Sequence, residues 1–177
     1  CGTCMDQLEK YEFGEIFPGC RLLDIHEYLL EKGIRLDGVP GVRYLYHDPC
    51  HTPMKTYAPL AVVNGLMNVP VASNTRCCGE SGMLATTRPD ISTQVRFRKE
   101  EEVKAGAAAL RAGGATGAVK ILTSCPSCLQ GLKRYDDDAD TDADYVVIEM
   151  ARHLLGPDWL ADYVRRANTG GIERVLV

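Results

Sequence analysis

From Val42 onward, short apolar runs alternate with longer stretches in which apolar positions recur every three or four residues. The runs Val42–His47, Val69–Ser73, Val119–Thr123 and Tyr145–Ile148 have strand length and are rich in β-branched and aromatic residues, which predicts four strands. Between the first two, Pro59–Met67 reads as a helix. The longest helix is predicted from Pro89, a residue accepted in a first turn, through the charged stretch Arg96–Lys104 and the alanine run Ala105–Ala112, to Gly113-Gly114. The charged stretch is read as a solvated face. Pro126 opens a short helix, and Asp158–Ala167 forms another before Gly170-Gly171. The last segment, 172–177, reads as an edge strand or the start of a further domain. This rhythm predicts an α/β fold: an open, mostly parallel sheet with helices on both faces.

A second periodicity is superimposed on the first. Cys1-Gly-Thr-Cys4, Leu8 and Tyr11 recur in register as Cys125-Pro-Ser-Cys128, Leu132 and Tyr135. With one extra residue in the intervening loop, Leu22, Leu23, Asp24, Leu29 and Leu30 align with Val147, Ile148, Glu149, Leu154 and Leu155. Residues 1–34 therefore read as the closing segment of a first repeat, 35–155 as a complete second repeat, and 156–177 as a C-terminal helix and terminal segment. Since residue 1 already lies inside a motif, the chain reads as part of something longer.

Composition narrows the class. With 177 residues, 45% of them hydrophobic, the chain can bury one sizeable core and part of a second. A formal net charge of −4 argues against binding nucleic acid or an anionic membrane through charge. No apolar run approaches the roughly 20 residues that span a bilayer. Eight cysteines in a helix-rich sequence do not resemble a secreted disulfide scaffold, so a reducing, cytoplasmic setting is expected, with any membrane contact made through partners.

Five of these cysteines, Cys50, the pair Cys77 and Cys78, and Cys125 with Cys128, each follow a predicted strand. In an open α/β sheet the carboxyl ends of the strands face one crevice, so loops distant in sequence should converge there. Gathered soft thiolates suit iron or zinc, and an adjacent pair can reach two metal atoms. Gly79 and Gly82 can let backbone N–H groups approach sulfur closely, although Gly82 reads equally well as a simple turn. His47 and His51 flank Asp48 and Cys50. Each is expected to hydrogen-bond to a sulfur and not to ligate, with His51 the stronger candidate for ligation. Cys1 and Cys4 read as ligands of the first repeat's own site, apart from the five-cysteine pocket. Cys20, alone after Phe17-Pro-Gly, reads as a buried apolar thiol, and His26 and His153 as structural or exposed.

The combination Tyr46-His-Asp-Pro-Cys-His51, Cys77-Cys-Gly-Glu-Ser-Gly82 and Ser124-Cys-Pro-Ser-Cys128 resembles the cysteine-rich CCG domain family. That family includes a component of heterodisulfide reductase and the iron–sulfur subunits of glycolate and lactate oxidases. The resemblance implies a doubled domain with Cys50, Cys77, Cys78, Cys125 and Cys128 as ligands. The implied cofactor is a [4Fe–4S] cluster, noncubane in heterodisulfide reductase. It further implies electron transfer from FAD on a partner domain or subunit, alongside other iron–sulfur modules, in a 2-hydroxy-acid dehydrogenase or heterodisulfide-reductase-like oxidoreductase. The sequence also resembles the C-terminal part of fused FAD-linked dehydrogenases. No complete activity is expected of this segment alone. Two other readings compete. Four of the thiolates could make a closed zinc site in an interaction module with no redox role, or Cys125 and Cys128 could serve thiol–disulfide exchange.

Overall fold

Parallel strands cannot be joined by tight hairpins, so each must be reached by a crossover, and the helices between the strands of this chain are those crossovers. The computed structural model describes residues 2–80, 82–114 and 116–170. Strands β1 (Arg43–His47), β2 (Ala72–Ser73), β3 (Val119–Thr123) and β4 (Thr141–Tyr145) form one sheet in the order β2-β1-β3-β4, all parallel. All four carboxyl ends therefore point to the same edge. Ahead of the sheet come α1 (Gly2–Glu9), α2 (Phe13–Ile16) and α3 (Ile25–Glu31). Between and after the strands lie α4 (Pro59–Met67), α5 (Leu84–Thr87), α6 (Pro89–Ala112), α7 (Pro126–Leu132), α8 (Asp136–Ala139), α9 (Val146–Leu155) and α10 (Trp159–Asn168).

Strand alternation sends side chains to opposite faces, and each face has its own core. Tyr44, Tyr46 and Leu122 join Val62, Val63, Leu66 and Met67 of α4 and Met150 of α9. Leu45, Ile121 and Ala143 join Val103 and Ala107 of α6 and Leu132 of α7. A sheet covered on both sides explains why β1 and β3 place apolar residues on successive positions, Tyr44-Leu45-Tyr46 and Ile121-Leu122. The segment before the sheet is tied to it. Glu27 of α3 is fully buried and its Oε1 accepts from the backbone N–H groups of Thr56 and Tyr57, at 2.7 and 2.8 Å.

The predicted strand at Tyr145–Ile148 is misplaced. The strand is Thr141–Tyr145, and Val146 opens α9, whose buried face is Val146, Glu149 and Met150. The β-branched run Val146–Ile148 mimics a strand, whereas the true strand, Thr-Asp-Ala-Asp-Tyr, is polar because it lies at the edge of the sheet. Strand β2 is also shorter than Val69–Ser73. Pro70 has no N–H for a ladder, and the N–H of Val71 donates to the Asn64 side chain at 2.7 Å. The stretch Arg96–Lys104 is not wholly solvated, since Lys99 and Val103 are completely buried. Cys20 is exposed, not buried. Cys1 and the segment 172–177 lie outside the described residues.

Candidate metal centre

Each cysteine leaves the sheet at the same edge. Strand β1 ends at His47 and runs through Asp48 and Pro49 to Cys50; β2 leads through Asn74 to Cys77 and Cys78; β3 leads to Cys125. Cys125 is extended just ahead of α7, and Pro126 takes the first helical position with its φ already set, so Cys125 and Cys128 sit three residues apart on one side of the first turn. Together Cys50, Cys77, Cys78, Cys125 and Cys128 line one pocket of about 310 Å³.

The pocket is graded in depth. Cys78 and Cys128 are buried at its floor, Cys77 and Cys125 are half-buried, and Cys50 is exposed at the mouth. Gly79 turns the chain immediately after the pair with φ of 81°, a backbone that a side chain would strain, and its N–H lies 3.4 Å from the Cys77 sulfur. Glu80 and Gly82 continue the wall, and Glu80 is held from outside by Arg134 and Arg96.

At the floor the Cys78 and Cys128 sulfurs lie 3.4 Å apart, within hydrogen-bonding distance. That contact, then His47 and the backbone N–H of Glu80, overcome burial and push Cys78 down to about 4, so Cys78 is the thiolate of the pair. The same contact and burial push Cys128 up. Burial, then the neighbouring sulfurs, pushes Cys77 up as well.

The two histidines differ in placement. His47, 1% exposed, places a ring nitrogen within 4.8 Å of the Cys78 and Cys128 sulfurs. His51 is on the rim, where its Nδ1 lies 2.5 Å from Asp6, which also pairs with Lys55 at 2.5 Å. Those two partners hold the Asp6 carboxyl below its usual range. Cys4 is exposed and is not in the pocket wall, but its helix contributes Gly2 and Thr3 to that wall. Gly2 packs so tightly on the His51 carbonyl that a Cβ there would come within 1.4 Å of the oxygen.

Sequence reasoning missed a buried polar group behind the pocket. Lys99 of α6, 0% exposed, brings Nζ to 3.1 Å from His47 Nδ1 and 2.9 Å from Glu102 Oε2, and it also donates to the Asn74 side chain. A signal was present: Lys99 shares a helical stripe with Ser92, Val103 and Ala107, and that stripe faces inward.

The cysteine-rich CCG domain model matches residues 44–133, and the chain belongs to this family. Residues 133–177 match a second model, described as a domain of unknown function (DUF3400). A component of the fumarate reductase (CoM/CoB) of Methanothermobacter marburgensis is 25% identical over 141 residues, which covers 75% of this chain and 26% of that protein. An uncharacterized iron–sulfur protein of Methanococcus maripaludis is 27% identical over 115 residues, covering 61% of this chain and 21% of the relative. The chain thus spans about a quarter of the length of these relatives. No solved structure matches it.

Proposed function

We propose that this chain carries electrons within a multi-subunit oxidoreductase, with Cys50, Cys77, Cys78, Cys125 and Cys128 holding an iron–sulfur cluster. The observation that carries the reading is the convergence of five sulfurs, from three separate loops, on one pocket. Five thiols exceed the four of a closed zinc site, and their softness suits iron–sulfur chemistry. When bound, such a cluster supplies one-electron steps. The chain's own residues prepare the site: Cys78 is ionised, the Gly79 N–H is set against the Cys77 sulfur, and the buried floor excludes water. The names of the relatives, an iron–sulfur protein and a component of a reductase, agree with this chemistry.

In its finer form the proposal is a [4Fe–4S] cluster, of the noncubane type, reduced by FAD on a partner domain or subunit. The partner enzyme is a 2-hydroxy-acid dehydrogenase or a heterodisulfide-reductase-like oxidoreductase. Residues 1–34 are the end of a preceding CCG repeat, and Cys1 and Cys4 belong to its centre. Among the described residues no helix is long and apolar enough to cross a membrane, and a cytoplasmic site of action, with membrane contact only through partners, completes the proposal.

One observation favours zinc instead: His47, Cys78 and Cys128 offer three donor atoms within 4.8 Å of one another. Anaerobic purification with analysis of iron, acid-labile sulfide and zinc separates the two. Matched iron and sulfide are expected; zinc alone overturns the proposal. Cys78→Ser should then lose or convert the cluster and stop reduction of a downstream acceptor, leaving flavin reduction by substrate intact, because a hydroxyl replaces a thiolate poorly. Normal acceptor reduction by a folded, iron-free variant would exclude a relay.

A further inference from the structure

We infer that Lys99 fixes the tautomer of His47, so that Nε2 carries the ring proton beside the cysteine pocket and His47 is not itself a ligand. The inference rests on the proposed cluster only for its redox consequence, since the tautomer is a property of the chain alone.

A neutral imidazole has one donor and one acceptor, and two arrangements compete at His47. In the first, Nδ1–H donates to the Asn74 carbonyl, 3.1 Å away, and Nε2 keeps a lone pair that could bind metal. In the second, Nδ1 accepts from Lys99 Nζ, also at 3.1 Å, and the proton resides on Nε2. Lys99 decides between them. An ammonium has three N–H donors and no acceptor, and burying it without partners is expensive. Its three nearest acceptors are the Asn74 Oδ1, Glu102 Oε2 at 2.9 Å and His47 Nδ1; the Asn74 carbonyl is farther, at 3.4 Å. Three donors thus meet three acceptors.

The first arrangement would instead set an Nδ1–H against an ammonium N–H 3.1 Å away and turn the third lysine donor to the Asn74 carbonyl at 3.4 Å, which the Nδ1–H already occupies. Glu102 keeps the ammonium in place, and is itself held by the backbone N–H groups of Thr75 and Arg76, at 2.9 and 3.1 Å. With Nδ1 engaged, Nε2 is buried and makes no hydrogen bond, to sulfur or any other atom, among the described residues. The pocket groups within its neighbourhood are the Cys78 and Cys128 sulfurs, which lie within 4.8 Å of a His47 ring nitrogen. Lys99 is therefore a positioning residue that acts through His47. An N–H beside a ligand sulfur favours the more negative, reduced state of a cluster and raises its reduction potential.

The test begins with the metal-free full chain carrying ¹⁵N-labelled histidine, held above the ordinary histidine titration range. Long-range ¹H–¹⁵N correlation should show His47 protonated at Nε2, and Lys99→Met should move the proton to Nδ1. A wild-type ring protonated at Nδ1 or at both nitrogens overturns the inference, and so does a folded Lys99→Met chain with an unchanged tautomer. Should Lys99→Met fail to fold, the wild-type spectrum still decides. In the iron-loaded chain, His47→Ala should keep its iron content and shift the midpoint potential downward. Nitrogen hyperfine coupling of ligand strength, lost in His47→Ala together with iron, would show ligation instead. A chain that takes up no iron–sulfur cluster refutes the proposed function, while the metal-free spectrum continues to judge the tautomer.

Discussion

Glu149, fully buried in α9, gathers Lys120 at 2.7 Å, Arg152 at 2.8 Å, the Tyr44 hydroxyl at 2.9 Å and His153 at 3.0 Å. Burial alone would raise its pKa, but the Lys120 ammonium and the other donors outweigh burial and hold the carboxyl below its ordinary 4.5. A depressed carboxyl pKa contributes stability above the unfolded value and loses it as pH falls through the folded one. Glu149→Gln should therefore cost about 3 kcal/mol near neutrality, because it strands a half-desolvated lysine. Urea unfolding against pH should show the gap between the two proteins closing below the unfolded value. A gap that stays constant into acid would show that Glu149 is not the titrating group. Single residues were also where the sequence was least legible. Lys99 looked solvated because its neighbours Arg98, Glu100 and Glu101 are charged, and only its stripe mates Val103 and Ala107 revealed the inward face. Cys20 was assigned a buried role from residue type alone, without any periodic pattern to place it.

Elements were read well wherever proline and glycine punctuate them. The bounds Pro59–Met67, Pro89–Ala112 and Val119–Thr123 match the predicted ones, since each is closed by a residue that cannot continue the element or by a change of period. Helix α9 defeated the same method because the β-branched start of an amphipathic helix and a short buried strand look alike over three residues. Packing between elements was invisible in the sequence. Gly131 of α7 rests against the CCG loop, where a Cβ would come 2.6 Å from Glu80 Cγ and 3.2 Å from the Cys78 carbonyl oxygen. Gly131→Ala should push that loop outward by a few tenths of an ångström. The overpacking should destabilise the chain by about 1–3 kcal/mol, beyond any gain in helix propensity. Iron retained per chain should fall although no sulfur has been removed, and metal analysis beside thermal unfolding of the metal-free protein checks both. Unchanged retention would show that α7 does not set the position of the CCG loop.

For the molecule as a whole, the rhythm of runs and helices was enough to infer a parallel sheet covered on both faces, and with it a common edge for the three cysteine loops. What could not be read was the seating of α1, a contact across almost fifty residues that involves a glycine and a main-chain carbonyl and therefore leaves no mark in hydrophobicity. Gly2→Ala has no room for its methyl group against His51 and should lift α1 from the rim. The half-buried Cys77 and Cys125 thiols should then react faster with an alkylating reagent in the metal-free chain, while the five cysteines are otherwise unaltered. An unchanged alkylation rate would mean that α1 does not shield the mouth.

The position of Gly2 bears on how this unit can be transplanted. Residues 35–155 contain all five sulfurs, and a graft cut by counting cysteines would carry just that stretch. It would leave behind Gly2 and Thr3 of the pocket wall, Asp6 that grips His51 and Lys55, and Glu27 that pins the backbone at Thr56 and Tyr57. Such a chimera inherits the donor atoms without their enclosure. Any recombination that preserves the site must therefore cut upstream of the first helix, which makes the portable unit longer than its cysteine pattern.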